Sequence, residues 1–206
     1  MRKILVALIL VFSIGTASWY VLSVHKKTSE AGIGPSRAEA LQFSRKLSEL
    51  SSDSSHASRK TLEFTQGEID SYIYYDLSQN FPPGLREVRI KLLEDSIAAQ
   101  ARINFDELQS GENTRRNPLL NALLKGEHTL QVNGKVRAQN KVGSYDIVSL
   151  LIDQNELPKP LLDLLITKLI IPKYPIARPN TNFELPYEIE KIDVREGKVV
   201  IYQGSN

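Results

Sequence analysis

The sequence predicts an α+β domain preceded by an N-terminal transmembrane helix. Three observations lead to this prediction: a long apolar run at residues 4–24, two helix starts with capping-box spacing, and later segments in which apolar and polar residues alternate. The 206 residues contain no internal repeat. We therefore expect a transmembrane anchor at 1–27, a tether at 28–35 and a single domain at 36–206.

Residues 4–24 are long enough to cross a membrane. At about 1.5 Å per residue, a helix of this length spans roughly 31 Å, close to the hydrocarbon thickness of a bilayer. Arg2 and Lys3 precede the run, and Trp19 and Tyr20 lie near its far end, where aromatic rings suit the headgroup region. A short tail before a long C-terminal domain favours a single-pass anchor with that domain outside the cytoplasm.

A cleaved signal peptide is the alternative for the same segment. Gly15, Thr16 and Ala17 are small residues that form a possible cleavage site after the first apolar stretch. Apolar character resumes beyond that site at Val21 and Leu22, as it does in a continuous membrane span. The expectation is therefore that the mature protein keeps the segment.

Residues 25–206 carry no formal net charge. Of the 26 basic residues in the whole chain only Arg2 and Lys3 precede residue 25, so the other 24 balance the 24 acidic residues. A neutral surface offers no general attraction to phosphate backbones, which argues against a nucleic-acid partner. The sequence has no cysteine, which excludes disulfides and thiolate metal sites.

Two helix starts have the spacing of a capping box. Ser36 is followed by Glu39, and Thr65 by Glu68, so each hydroxyl can accept from the third helical amide while the carboxylate reaches back. We predict one helix from Ser36 to about residue 50 and a second from Thr65.

The second predicted helix presents one apolar face. Ile69, Tyr72, Ile73 and Leu77 recur at intervals of three and four residues. The two prolines within 81–84 should end this helix, since proline cannot donate to the helical ladder.

Alternation of apolar and polar residues predicts an antiparallel sheet. The predicted strands cover 88–92 and 97–105 as one hairpin, 129–138 and 145–152 as a second pair, and 189–194 and 199–202 as a closing hairpin with its turn at Glu196 and Gly197. A short helix is expected at 117–126, and a helix buried on most sides is expected at 161–171, where leucine and isoleucine are dense.

No group of residues has the spacing of a catalytic or metal-binding site. His25, His56 and His128 lie in unrelated contexts without a second ligand at helical spacing. Glu68 and Asp70 are close enough in sequence to act as an acid/base pair, but Glu68 already has a capping role. We expect no enzyme activity, no catalytic residue, no metal and no cofactor.

The order of these elements resembles that of a known family. The resemblance is carried by the capped helix start at 65–73, by Pro83-Gly84-Leu85 before the first hairpin, by 157–162 after the second strand pair, and by the closing hairpin at 189–201. These features resemble the tubular lipid-binding (TULIP) superfamily, and within it the small bacterial envelope members, over residues 62–202. The resemblance implies a strongly curved antiparallel sheet wrapped around a long helix. The insertion at 109–126 departs from the pattern.

The resemblance implies a membrane-anchored lipid-binding or lipid-transfer protein of the bacterial cell envelope. Its partners would be a phospholipid or another acyl lipid and, through the N-terminal helix, the inner membrane, with the domain on the periplasmic side. The acyl chains would lie in an apolar groove between helix and sheet, lined by Ile69, Tyr72, Ile73, Leu77, Leu161, Leu165 and Leu169. The alternative is a structural or assembly protein of the envelope whose core is fully packed.

Overall fold

The computed structural model of the protein describes residues 34–51, 59–109, 125–167, 171 and 181–204. In this part of the chain the helices are α1 (Arg37–Ser51), α2 (Gln66–Tyr72), α3 (Phe105–Gln109) and α4 (Lys159–Leu165), and the strands are β1 (Lys60–Thr65), β2 (Leu85–Leu93), β3 (Ser96–Asn104), β4 (Glu127–Gln139), β5 (Val142–Ile152), β6 (Asn155–Glu156), β7 (Phe183–Glu184), β8 (Ile189–Arg195) and β9 (Lys198–Gln203). The predicted α+β class is confirmed.

Strand β4 is the centre of the sheet. Its first part pairs with β3, its end pairs with β8 at Ala138 and Gln139, and its other edge pairs with β5. The strand order is β1-β9-β8-β4-β3-β2, while β6 and β7 pair with β5. All of these pairings are antiparallel, as the sequence predicted.

The two hairpins on the same edge of β4 meet at their turns. The Asp95 N–H donates to the Val194 carbonyl at 3.1 Å, and the Gly197 N–H donates to the Leu92 carbonyl at 3.3 Å. These bonds join the β2–β3 hairpin to the β8–β9 hairpin. Both hairpins thereby form one wall opposite the helices α1 and α2.

The capping box at the start of α2 is confirmed. The Thr65 hydroxyl accepts from the Glu68 N–H at 3.2 Å, and the Glu68 carboxylate accepts from the Thr65 N–H at 2.9 Å. The helix continues through a π turn (Ile73–Leu77) and a 3-10 turn (Ser78–Asn80), and it ends before the prolines at 82 and 83.

The predicted capping box of α1 forms with one change. The Ser36 hydroxyl accepts from the Glu39 N–H at 3.2 Å, as predicted, but the Ser36 N–H donates to the Ser71 hydroxyl at 3.0 Å. Ser71 in turn donates to the Glu39 carboxylate at 3.0 Å. A buried serine of α2 therefore completes the cap and fixes the start of α1 against α2.

The long helix and the strong curvature that the resemblance implied are not found in the described residues. The sheet is largely uncurled, and its strand order ends at β1 and β2 without closing. The longest described helix, α1, has 15 residues, and α2 has seven before its π turn. The helical layer is divided because β1 lies between α1 and α2 in the chain, and the prolines at 82 and 83 then end the second helix.

The predicted membrane anchor cannot be compared with the structure. Residues 1–27 and the tether as far as residue 33 lie outside the described residues, as do most of the predicted helix at 117–126 and residues 168–170 of the predicted helix at 161–171. Within the described ranges, no helix has the length and apolar character needed to cross a bilayer.

The apolar side chains form two main clusters along the sheet. The first lies between α1, α2 and the strands, and it includes Phe43, Phe64, Tyr72 and Ile73. The second lies where α4 covers the other end of β3, β4 and β5, and it is formed by Ile103, Phe105, Leu130, Val132, Leu150 and Leu165. A third, smaller cluster of Ala138, Leu185 and Ile189 adjoins the first.

Candidate functional site

An apolar cavity of about 160 Å³ lies between the helices and the sheet, where the first and third clusters meet. The helical residues that line it are Phe43, Leu47 and Leu50 of α1, Ile69 and Tyr72 of α2, and Ile73 at the start of the π turn. The opposite wall comes from β1 to β4, β8 and β9, and from the segment at 183–189. All of these lining residues are aliphatic or aromatic residues or proline, so the described part of the chain places no charge on the cavity surface.

Aromatic packing holds the helical wall together. The Phe43 ring of α1 stacks on the Tyr72 ring of α2 with centroids 4.4 Å apart, and it meets the Phe64 ring of β1 edge-on at 5.0 Å. Such ring pairs add to the stabilisation that their buried area gives. The three rings therefore set the spacing of α1, α2 and β1 around the cavity.

A buried ion pair fixes α1 to the start of α2. Glu68 is only 3% exposed, and its two carboxylate oxygens lie 2.6 and 2.8 Å from the Lys46 ammonium of α1. Lys46 also donates to the Glu63 carbonyl of β1 at 2.6 Å. Since a buried carboxylate needs a partner charge and hydrogen bonds, Lys46 allows Glu68 to cap α2 inside the fold.

The side chain of Gln66 ties α2 to the strand that forms the facing wall. Its Nε2 donates to the Ile90 carbonyl at 2.7 Å, and its Oε1 accepts from the Leu92 N–H at 2.9 Å. Ile90 and Leu92 both line the cavity. One amide therefore satisfies two backbone groups of β2 and sets the distance between α2 and that strand.

A tight turn between β7 and β8 contributes Pro186 and Ile189 to the cavity wall. Tyr187 and Glu188 have φ angles of 59° and 55°, and the Ile189 N–H donates to the Pro186 carbonyl at 3.2 Å. Two successive positive φ angles are typical of a type I′ turn, which non-glycine side chains disfavour. The Lys141 ammonium holds the turn through the Glu188 carboxylate at 2.6 Å.

The structure brings together part of the predicted groove. Ile69, Tyr72 and Ile73 line the cavity, and Leu77 is buried in the same cluster. Leu165, the last residue of α4, instead packs in the second cluster. Leu161 is partly buried on α4 and does not line the cavity, and Leu169 lies outside the described residues.

Sequence reasoning missed the contribution of α1 and of the turn at 185–189. Phe43, Leu47 and Leu50 lie on the helix predicted from Ser36, but their helical spacing gives no reason to prefer a cavity over a packed core. Ile189 begins a predicted strand, but neither that pattern nor the sequence around Leu185 indicates a cavity, because both residues reach it through a turn that lacks glycine.

The clearest shifts of titratable groups lie outside the cavity lining. A hydrogen bond from His128 to Asp153, with ring nitrogen and carboxylate oxygen 2.6 Å apart, raises the pKa of His128 and lowers the pKa of Asp153. Burial raises the pKa of Asp70, although Gln66 donates to its carboxylate. Among the described residues, no group of three or more histidine, aspartate or glutamate side chains is placed to hold a metal ion.

Comparisons with known proteins found no relative of this chain. No protein-family model, no curated protein and no solved structure matches the chain. The cavity and its walls are therefore the observations from which a function is argued.

Proposed function

We propose that this protein is a membrane-anchored lipid-binding protein of the bacterial cell envelope, which holds an acyl chain in the apolar cavity between α1, α2 and the sheet. The observation that carries the proposal is the cavity itself, with about 160 Å³ of space and no charged lining residue. An apolar cavity of about 150 Å³ in another protein stays dry and binds benzene. This cavity has room for a hydrocarbon group of similar size.

The energy of such binding would come from hydrocarbon burial. Each methylene removed from water contributes about 0.8 kcal/mol, and a benzene-sized space holds about six carbons, so the cavity offers roughly 5 kcal/mol. The alternative, a structural protein with a fully packed core, would leave no such space between Tyr72 and Ile189. The cavity supports the lipid-binding proposal over that alternative.

The proposal assigns the apolar run at 4–24 to an anchor that keeps the domain at the inner membrane, on its periplasmic side. The tubular form implied by the resemblance is not required, because one cavity between helices and an open sheet is enough to hold a chain. N-terminal sequencing of membrane-extracted protein tests the anchor. A mature protein that begins with Met1 agrees with the proposal, whereas one that begins at Ser18 contradicts the anchor.

Lipid extraction tests the proposed binding directly. Full-length protein is purified in polymer-bounded lipid nanodiscs, washed, and analysed by native mass spectrometry for bound acyl lipid. The control is the Ile73→Trp variant, in which the indole should fill part of the cavity. Bound lipid in the wild type and a loss of it in the variant are expected. Equal lipid in both proteins would contradict binding in this cavity.

A further inference from the structure

The size of the cavity limits which lipid it can hold. About 160 Å³ accommodates a group of benzene size, or about six chain carbons. A complete acyl chain of a membrane phospholipid therefore exceeds the space between the helices and the sheet.

The lining of the cavity gives no site for a headgroup. The walls are formed by side chains such as Phe43, Leu47, Ile192 and Val199, and none of the lining residues is charged or carries an amide. A polar headgroup buried there would lose its hydrogen bonds to water without a replacement. The ligand must therefore enter with the end of its chain and leave its polar group outside.

The same limits disfavour extraction of a two-chain lipid. Removing a diacyl phospholipid from a bilayer exposes two whole chains, whereas the cavity covers about six carbons of one chain. When the cavity covers the same number of carbons, a single-chain amphiphile leaves much less hydrocarbon exposed to water than a two-chain lipid does. We infer that the cavity takes the terminal carbons of one unbranched chain of a single-chain amphiphile, such as a fatty acid or a lysolipid. This inference rests on the proposed lipid-binding function.

The inference predicts a break in the dependence of affinity on chain length. Each methylene that enters the cavity should strengthen binding by about fourfold. Once about six carbons are covered, further carbons remain outside the cavity and should add little. A long open groove would instead give a steady increase over the whole series.

Photolabelling of the full chain in phosphatidylcholine vesicles tests the inference. One probe is a fatty acid with a diazirine near its chain end, and the other is a diacyl phosphatidylcholine with the same diazirine on one chain. We expect the fatty acid to label peptides containing Phe43 or Ile189 at least about tenfold more strongly than the phosphatidylcholine does. Each further methylene that the phosphatidylcholine exposes to water weakens its binding about fourfold, so two methylenes already give such a ratio. Glucosides from butyl to decyl should compete with affinities that level off beyond about six carbons.

The possible outcomes distinguish the single-chain inference from the proposed lipid-binding function. Equal labelling by both probes, or competition that keeps strengthening to decyl glucoside, would overturn the single-chain inference and leave lipid binding standing. Labelling of the cavity peptides by neither probe would overturn the proposed function as well. Ile73→Trp, checked for its fold by circular dichroism, should lose the fatty-acid label, and label retained in that variant would place the binding elsewhere.

Discussion

The side-chain amide of Gln203 donates a hydrogen bond to the carbonyl oxygen of Leu50 at 3.1 Å, although 153 residues separate them in the sequence. The same nitrogen donates to the carbonyl of Tyr187 at 2.6 Å. Leu50 lines the cavity near the end of α1, and Tyr187 belongs to the turn before β8, whose neighbours Pro186 and Ile189 line the cavity on the sheet side. One buried amide of the last strand therefore joins two walls of the cavity.

Replacing this amide should destabilise the fold. Gln203 is 5% exposed, and Gln203→Leu would leave the carbonyls of Leu50 and Tyr187 without these hydrogen bonds, each at a cost of about 1–3 kcal/mol. We expect the free energy of unfolding to fall by about 2–6 kcal/mol in denaturant titrations. The control is Gln79→Leu, which removes an exposed amide that donates to the Tyr75 carbonyl. Equal losses in both variants would contradict the bridging role.

The ion pair between the partly exposed Lys46 and the buried Glu68 should matter more than a pair in which both side chains are exposed. Lys46→Met leaves the carboxylate of Glu68 buried without its partner charge, and we expect a loss of about 3 kcal/mol. Lys198→Met removes a pair with Glu63 in which both side chains are more than one-third exposed, so its loss should stay below about 1 kcal/mol. Chemical denaturation of both variants measures the difference. Similar values would show that Lys46 is not needed to compensate the buried charge.

The contact between His128 and Asp153 should make stability depend on pH. Both ring nitrogens of His128 face acceptors, Asp153 and the Lys125 carbonyl, so the protonated ring satisfies both. The pKa of His128 is raised in the folded state, so its contribution is complete below the unfolded value of about 6.5 and is lost as pH rises through the folded value. The pKa of Asp153 is lowered, so its contribution is lost as the solution becomes strongly acidic.

Thermal unfolding across neutral pH tests this contact. The midpoint of the wild type should fall between about pH 6 and pH 8 by more than that of His128→Gln. Salt should weaken the difference, because the Asp153 side chain is half exposed. Parallel pH profiles for the two proteins would mean that His128 titrates as it does in the unfolded chain.

Much of the sheet could be predicted because its hairpins are local. The β8–β9 hairpin closes over Glu196 and Gly197, where glycine has a φ of 73°, and β2–β3 closes over Glu94 and Asp95. Turn residues next to alternating strands carry this information within a short stretch of chain. Strand boundaries were less accurate: β2 begins at Leu85 and β5 at Val142, each three residues before the predicted start. Phe105 begins α3 instead of ending β3 because the Asn104 side chain caps that helix.

Strand β1 could not be predicted because its partner is distant. Lys60–Thr65 pairs with β9, and Glu63 lies 135 residues before its ion-pair partner Lys198. Only Leu62 and Phe64 alternate within the strand, which is too short a pattern to identify alone. Strand β1 is therefore determined by its pairing with β9 and not by a local sequence pattern.

Only part of the candidate site was predicted, because its walls also depend on contacts between distant residues. Helical spacing shows that Ile73 and Leu165 face the interior, but it does not show which cluster each side chain joins. Ile73 lines the cavity, whereas Leu165 packs against the Ile103 end of the sheet. The separation follows from the positions of α2 and α4 along β3, which depend on contacts between distant residues.

This separation provides a matched pair of variants for the central claim, that the cavity holds an acyl chain. Ile73→Trp places extra volume where space exists, while Leu165→Trp overpacks the second cluster at a cost of about 1–3 kcal/mol. The decisive measurement is bound lipid, by native mass spectrometry of the full chain, together with the thermal midpoint of each variant. Lipid binding in the cavity predicts that Ile73→Trp loses lipid with little change in midpoint, and that Leu165→Trp keeps lipid with a lowered midpoint. Unchanged lipid content and a sharply lowered midpoint in Ile73→Trp would contradict it.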